Sequence, residues 1–264
     1  MDKSPILERV QSQFSATAQR YVDSPRHATG DDLERLVELA QLRGTERVLD
    51  VATGGGHTAL AFAPHAADVV ASDLTPRMLE VAAELAASRG VDNVRFVRAQ
   101  AESLPFDDAS FDVVTCRVAP HHFADPAAFV REVARVLRPG GRFLLDDQMA
   151  PEDRELDQFV NTFERWRDPS HVRAYTPSEW RAWIAEAGLT VERVEDFDRD
   201  SYDFADWTAR SNMPEADRDA LERWLLAAPP RCAEFFRIVW SDGHVRSLRA
   251  CFAIIVARKP EEES

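Results

Sequence analysis

The chain has little of what would mark it for export, for a membrane or for nucleic acid. Three cysteines in 264 residues, Cys116, Cys232 and Cys251, stand far apart with no CxxC pair, so neither a disulfide framework nor a structural zinc site is expected. No apolar run approaches the roughly 18 residues of a membrane span, and the opening "MDKSPILERVQSQFSA" holds no apolar core of signal-peptide length. Basic charge is also short: 32 Lys and Arg face 46 Asp and Glu, for a net charge of −14. An acidic surface repels phosphate backbones, which argues against a nucleic-acid partner. No internal repeat is legible. With 45% hydrophobic and 30% charged residues, a globular cytoplasmic protein without membrane insertion is expected.

What is present is an alternation. In "GDDLERLVELAQL", Leu33, Leu36, Val37 and Ala40 recur at helical spacing behind Asp31 and Asp32 at the favoured N-terminal end. Short apolar runs follow ("RVLDVA", "DVVASD", "VRFV", "FDVVTC", "GRFLLDD"), separated by helical patterns over 57–66, 76–88 and 126–137. Pro76 suits a helix start, and "RPGG" stops the last of these helices. Buried strands alternating with helices predict a parallel sheet covered on both faces. The pattern breaks after Asp147: residues 151–188 read as polar helices rich in aromatics, a lid built on the sheet. "TVERVEDF" reads as a further strand, and "EFFRIVWSDGHVRSL" as a hairpin around Asp242-Gly243 leading into "ACFAIIVARK".

In "VLDVATGGGHTALAF", Gly54, Gly56 and Ala59 satisfy G-x-G-x-x-G/A, a weak signal alone. Glycine lets backbone approach a ligand closely, and the next helix offers free N–H groups. The same glycines also suit a tight strand-to-helix turn with no ligand. Asp50 decides between ligands, because a carboxylate a few ångströms from a pyrophosphate opposes it by about 1–4 kcal/mol. S-adenosylmethionine, which carries an ammonium and a sulfonium, would instead welcome that charge. Asp73 ends the second strand, where a carboxylate can accept both ribose hydroxyls; this supports a nucleoside without choosing one.

Five ordered stretches, "VLDVATGGG", "VVASDLTPRMLEVA", "VRAQAESLPFDDASFDVVTC", "HHFADP" and "FVREVARVLRPGGRFLLDD", closely resemble the class I S-adenosylmethionine-dependent methyltransferases. The branch they resemble most is methyltransferase type 11, which contains the quinone-biosynthesis C-methyltransferases. The likeness covers about Leu42 to Asp147 and is looser beyond. It implies a Rossmann-like α/β fold: a seven-stranded, mainly parallel sheet with helices on both faces and a helical lid. The expected division of a single domain is an N-terminal helical cap (1–41), a cofactor-binding core (42–148), and lid helices with C-terminal strands (149–264).

Carried over residue by residue, the resemblance places the methionyl part of S-adenosylmethionine over Asp50, Gly54, Gly55 and Gly56. It puts the ribose at Asp73, Leu74 on the adenine, and Gln100 and the Ala101 backbone at the adenine edge. Ala52 stands where many members have glycine, and Gln100 where the family often has Asp or Asn. Arg117 occupies a position that is frequently small or hydroxyl-bearing; it would meet the methionyl carboxylate or face the lid. Tyr21, in "FSATAQRYVDSPRH", would close over the cofactor or sit on a helix merely packed on the sheet. His121 and His122 follow the fourth strand, where open α/β sheets bind ligands. Either could be a general base with a pKa near neutrality, with His122 favoured, or both could simply fix the loop. No metal site is expected.

The reaction implied is methyl transfer to a small organic acceptor. A catalytically silent S-adenosylmethionine binder would share the same motifs. A nicotinamide-dependent oxidoreductase would share the turn and Asp73 but not Asp50.

Overall fold

The structure is a computed structural model that describes residues 4–22 and 28–261; of residues 4, 21 and 197–201 it describes only the backbone. An N-terminal helix α1 (Ser4–Val22) and α2 (Asp31–Ala40) precede the alternating unit β1 (Arg47–Val51), α3 (His57–Phe62), β2 (Asp68–Asp73), α4 (Pro76–Ser88), β3 (Val94–Arg98), β4 (Phe111–Arg117), α5 (Pro126–Val136) and β5 (Leu137–Gln148). The expected helix over 57–66 is divided: α3 ends at Phe62, and a 3-10 turn over Ala63–His65 follows, because Pro64 has no N–H for an α-helical bond.

After β5 come α6 (Arg154–Arg167), α7 (Pro177–Glu186), β6 (Thr190–Asp203), α8 (Phe204–Arg210), α9 (Glu215–Leu226), α10 (Pro230–Phe235), β7 (Val239–Ser241) and β8 (His244–Arg258). The expected hairpin turn is present, with Asp242 and Gly243 both at positive φ as a tight hairpin requires. The first part of that stretch, Glu234 and Phe235, is helical instead and belongs to α10.

The strand order is β3-β2-β1-β4-β5-β8-β6, with β7 pairing β8 off this path. The first four pairings along the path are parallel, and β8 runs antiparallel to β5, β6 and β7. The seven-strand path and the predominance of parallel pairs in its first five strands agree with the sequence. The chain leaves β1 toward β2 and β3 and then returns to the other side at β4. A crevice therefore opens at the carboxyl ends of β1 and β4, the place where such sheets bind ligands.

Strand periodicity assigns side chains to the two faces. Val48, Val69, Val113, Leu144 and Ile254 pack with Leu36 and Phe62 of α2 and α3. Leu49, Val70, Val114 and Leu145 pack on the other face with Phe129, Trp180 and Ile184 of α5 and α7. Asp50 and Asp146 therefore fall on the α2–α3 side, and Asp147 falls on the α5–α7 side. The stretch expected as a lid also divides: α7, opened by a capping box of Thr176 and Glu179, is a covering helix of the sheet. By contrast, α6 joins α8, α9 and α10 in an apolar cap that includes Phe159, Phe163, Trp207, Leu221 and Phe236.

Candidate functional site

The glycine turn leaves β1 through three left-handed residues, Ala52 (φ 56°), Gly54 (φ 54°) and Gly56 (φ 84°). At Ala52 the backbone adopts a conformation that suits glycine, at a cost of about 1–2 kcal/mol. Gly56 is required twice over: a Cβ there would lie 2.9 Å from the Cβ of Ala82 on α4. The turn borders a cavity of about 950 Å³, mouth included, whose wall contains Gly54, Gly55, Asp73, Leu74, Gln100, Ala101, Arg117 and His122. Eight of the expected site residues, from five separate stretches, thus meet around one space. Leu7, Val10 and Phe14 of α1 close it from above, and Gln11 Nε2 donates to the carbonyl of Leu74 at 3.2 Å. The side chain of Tyr21 lies outside the described ones.

Three expected contact residues stand behind the wall rather than in it. Gly56 packs on Ala82, as above. Asp50 is buried under the turn, where the Thr53 hydroxyl donates to its Oδ2 at 2.6 Å. His121 turns away from the cavity, and its Nδ1 donates to Oδ1 of Asp147 at 2.6 Å.

The charges beneath the turn do not balance. Asp73 lies at the wall and accepts from the N–H of Gly54 at 3.0 Å and of Thr75 at 2.8 Å. Burial nevertheless pushes its carboxyl above the ordinary value. Burial also pushes Asp50 up to about 7, against the lowering effects of Thr53, the Ala59 backbone and Arg117. Arg117 is the single Arg or Lys among the described lining residues. Its Nε donates to Oδ2 of Asp32 at 2.6 Å and lies 3.6 Å from Asp146. The guanidinium therefore serves carboxylates inside the protein. Among the described residues Arg117 is shared between Asp32 and Asp146, and even with Asp50 partly protonated the floor is acidic, which suits a cationic ligand and opposes a pyrophosphate.

The two histidines occupy a 3-10 turn, Pro120–His122, which sends neighbouring side chains in different directions. His122 is in the cavity wall, 4.9 Å from Phe14 in an edge-to-face contact. It is not near neutrality: burial and the adjacent His121 push it down to about 3. For His121 burial opposes the charge, but Asp147, with Glu164 and Asp168 beyond, raises it above the ordinary histidine value.

Glu102 fixes the loop after β4, its Oε1 accepting from the N–H of Ala124 at 3.0 Å. Among the described residues no group of His, Cys, Asp and Glu has the arrangement of a metal site. Sequence reasoning missed Asp32, Thr53, Asp147, and Leu7 and Val10 of α1, although the segment expected to close over the cofactor does begin at Phe14. Only Asp147 carried a local signal: in "LLDD", two carboxylates end an otherwise apolar strand.

Comparison with known proteins identifies the family and its fold. The family model described as "Methyltransferase domain" matches residues 49–145. The uncharacterized methyltransferase YcgJ of Bacillus subtilis is 47% identical over 79% of this chain and 82% of its own. The crystal structure of the YcgJ protein superposes with a TM-score of 0.84 at 41% identity, covering 87% of this chain and 98% of that one. The ubiquinone/menaquinone biosynthesis C-methyltransferase UbiE of Azotobacter vinelandii is 34% identical over 61% of this chain and 67% of its own length.

Proposed function

The chain belongs to the methyltransferase family matched by its core and by YcgJ, and from that premise we propose that it transfers a methyl group from S-adenosylmethionine to a small organic acceptor by direct displacement. The observation that carries the choice of methyl donor is the negative floor under the glycine turn, with Arg117 already engaged by Asp32. A nicotinamide dinucleotide would set its pyrophosphate over those carboxylates.

S-adenosylmethionine supplies an electrophilic methyl on a sulfonium. Within the chain, Gly54 and Gly55 present backbone to the methionyl part, and Asp50 and Asp73 supply the charge that favours its ammonium. Asp73 is the acceptor for the ribose hydroxyls, Leu74 packs on the adenine, and Gln100 and the Ala101 backbone meet its edge. Leu7, Val10 and Phe14 exclude water, so the protein's contribution is largely alignment in a dry site. His122 is the residue we assign to the acceptor. Its ring enters the same cavity, and its low proton affinity suits a hydrogen-bond acceptor better than an ionising base. We read the chain as one unit, with 1–41 as cap, 42–148 as core and 149–264 backing His122 through Ser170.

The test is turnover. S-adenosylhomocysteine should accumulate with at least one of a panel of hydroxylated aromatic acceptors, starting with naphthoquinols because the UbiE relative is named for quinone biosynthesis. Micromolar binding without product from any acceptor would favour a silent binder. A change in NADH fluorescence on adding the protein would favour an oxidoreductase.

A further inference from the structure

The consecutive carboxylates Asp146 and Asp147 look redundant in sequence, but strand alternation sends them to opposite faces of the sheet. Asp146 lies beside Arg117. Asp147 is fully buried on the other face and pairs with His121, and its Oδ2 has no hydrogen-bond partner among the described residues. A buried carboxylate with one oxygen unsatisfied is costly unless a charge faces it. His121, whose Nδ1 lies 2.6 Å away and whose proton affinity this carboxylate raises, is placed to be that charge. The ring of His121 in turn lies 4.1 Å, centre to centre, from the ring of His122.

The tautomer of His122 follows from its partners. Nδ1 of His122 is 3.0 Å from the carbonyl of Ser170 and 3.2 Å from the Ser170 hydroxyl. That hydroxyl has one proton, which it donates to Oδ1 of Asp168 at 2.6 Å. Both Ser170 oxygens can therefore only accept from His122, so Nδ1 carries the hydrogen. In the neutral ring the lone pair is then on Nε2.

We propose that Asp147 is a positioning residue: by pairing with His121 it sets a fixed cation against the ring of His122, and this keeps His122 neutral, with its Nε2 lone pair available to hold an O–H or N–H donor of the methyl acceptor. The assignment rests on the methyltransferase reading and narrows its substrate class to molecules that bring a hydrogen-bond donor next to an apolar body. The apolar part would meet Leu7, Val10, Phe14 and Phe123, which line the same cavity. Other charges act on the pair. Asp168 favours a proton on His122 and Arg167 opposes it, while Glu164 and Asp168 both support the charge on His121. His171, 5.4 Å from His121 and 6.4 Å from His122 between ring centres, is itself held low by burial and by both neighbours. Burial and the His121 cation therefore prevail at His122, and Asp147 maintains that cation.

The experiment is nitrogen-15 NMR of histidine-labelled, cofactor-free full-length protein, wild type and Asp147→Asn, titrated from about pH 9 down to the lowest pH at which each remains folded, a range that covers the ordinary histidine titration and extends toward the low value of His122. In the wild type, His121 should carry protons on both nitrogens at neutral pH. His122 should stay neutral down to about pH 4, with its hydrogen on Nδ1. In Asp147→Asn, His121 should lose its charge at neutral pH and the titration of His122 should move up by about one unit or more, a tenfold or greater gain in proton affinity. A neutral His121 in the wild type, or hydrogen on Nε2 of His122, overturns the proposal, and so does an unchanged His122 titration in a folded Asp147→Asn. The wild-type spectra decide even if the variant does not fold. With an active acceptor, Asp147→Asn should move the acid-side fall in kcat to higher pH, and an unchanged pH profile counts against the proposal. Because the spectra need no turnover, an absence of methyl transfer sinks the functional reading without touching the assignment of protons.

Discussion

Nε of Arg117 and Oδ2 of Asp32 lie 2.6 Å apart, both side chains almost fully buried, and this pair joins the first turn of α2 to the carboxyl end of β4. Removing one partner of a buried pair leaves the other uncompensated, which typically costs about 3–5 kcal/mol. Arg117→Met should lower the urea midpoint accordingly, because Asp32 and Asp146 both lose their cation. Adding Asp32→Asn to Arg117→Met should recover part of the loss. If Arg117→Met left stability unchanged but abolished S-adenosylhomocysteine binding, the guanidinium would belong to the ligand instead.

Asp50 makes stability and binding depend on pH in opposite directions. Its carboxyl sits at about 7 in the fold against an ordinary value of 3.8, so the folded state holds this proton more tightly than the unfolded one. The contribution is full below the unfolded value and is lost as pH rises through about 7. Cofactor-free protein should therefore lose melting temperature between about pH 5 and pH 8, with a shallower loss in Asp50→Asn. A cationic ligand favours the ionised form, so affinity should rise from about pH 5.5 to pH 7.5 with proton release. Calorimetry in buffers of different ionisation enthalpy reads that proton; a heat independent of the buffer would rule the linkage out.

Gly56 and Ala82 test the packing of the turn. Gly56→Ala combines a left-handed φ of 84° with a 2.9 Å approach to the Ala82 Cβ. The backbone cost is about 1–2 kcal/mol, and overpacking adds about 1–3 kcal/mol. Combining it with Ala82→Gly should remove the steric part and leave the backbone part. Equal stability of the single and double variants would place the strain elsewhere.

Closure should involve α1 and spare α7. Leu7, Val10 and Phe14 touch the cavity, whereas Trp180 and Ile184 are wholly buried against the sheet. Hydrogen exchange should slow in α1 when S-adenosylhomocysteine is added and should not change in α7. Matching protection in both helices would make 177–186 part of the lid after all. Consistent with a covering helix, Trp180→Ala should destabilise the protein by about 3–5 kcal/mol.

The legible parts of the sequence were those set by local rules. Proline and apolar spacing placed α4 at Pro76–Ser88, and glycines after a buried strand placed the turn. The place of Asp73 in the cavity wall was readable because it depends only on ending β2. What could not be read depends on tertiary neighbours. The Arg117–Asp32 pair spans 85 residues, and nothing near either residue signals the other. The separation of His121 from His122 depends on a 3-10 turn, and the division of Asp146 from Asp147 on which helices cover which face. The aromatics of 151–188 share one composition, yet Trp180 packs in the sheet core and Phe159 in the cap. Composition reports that such residues are buried but not against what.

The most direct test of the account is calorimetric titration of S-adenosylhomocysteine into the wild type and into Asp73→Ala, at a temperature where both are folded. The account predicts micromolar binding by the wild type, worth roughly 7–8 kcal/mol. Asp73→Ala should lose about 1.5–3 kcal/mol of it, because the ribose hydroxyls lose a charged acceptor. Undiminished affinity in a folded Asp73→Ala protein, or no binding by the wild type, would contradict it.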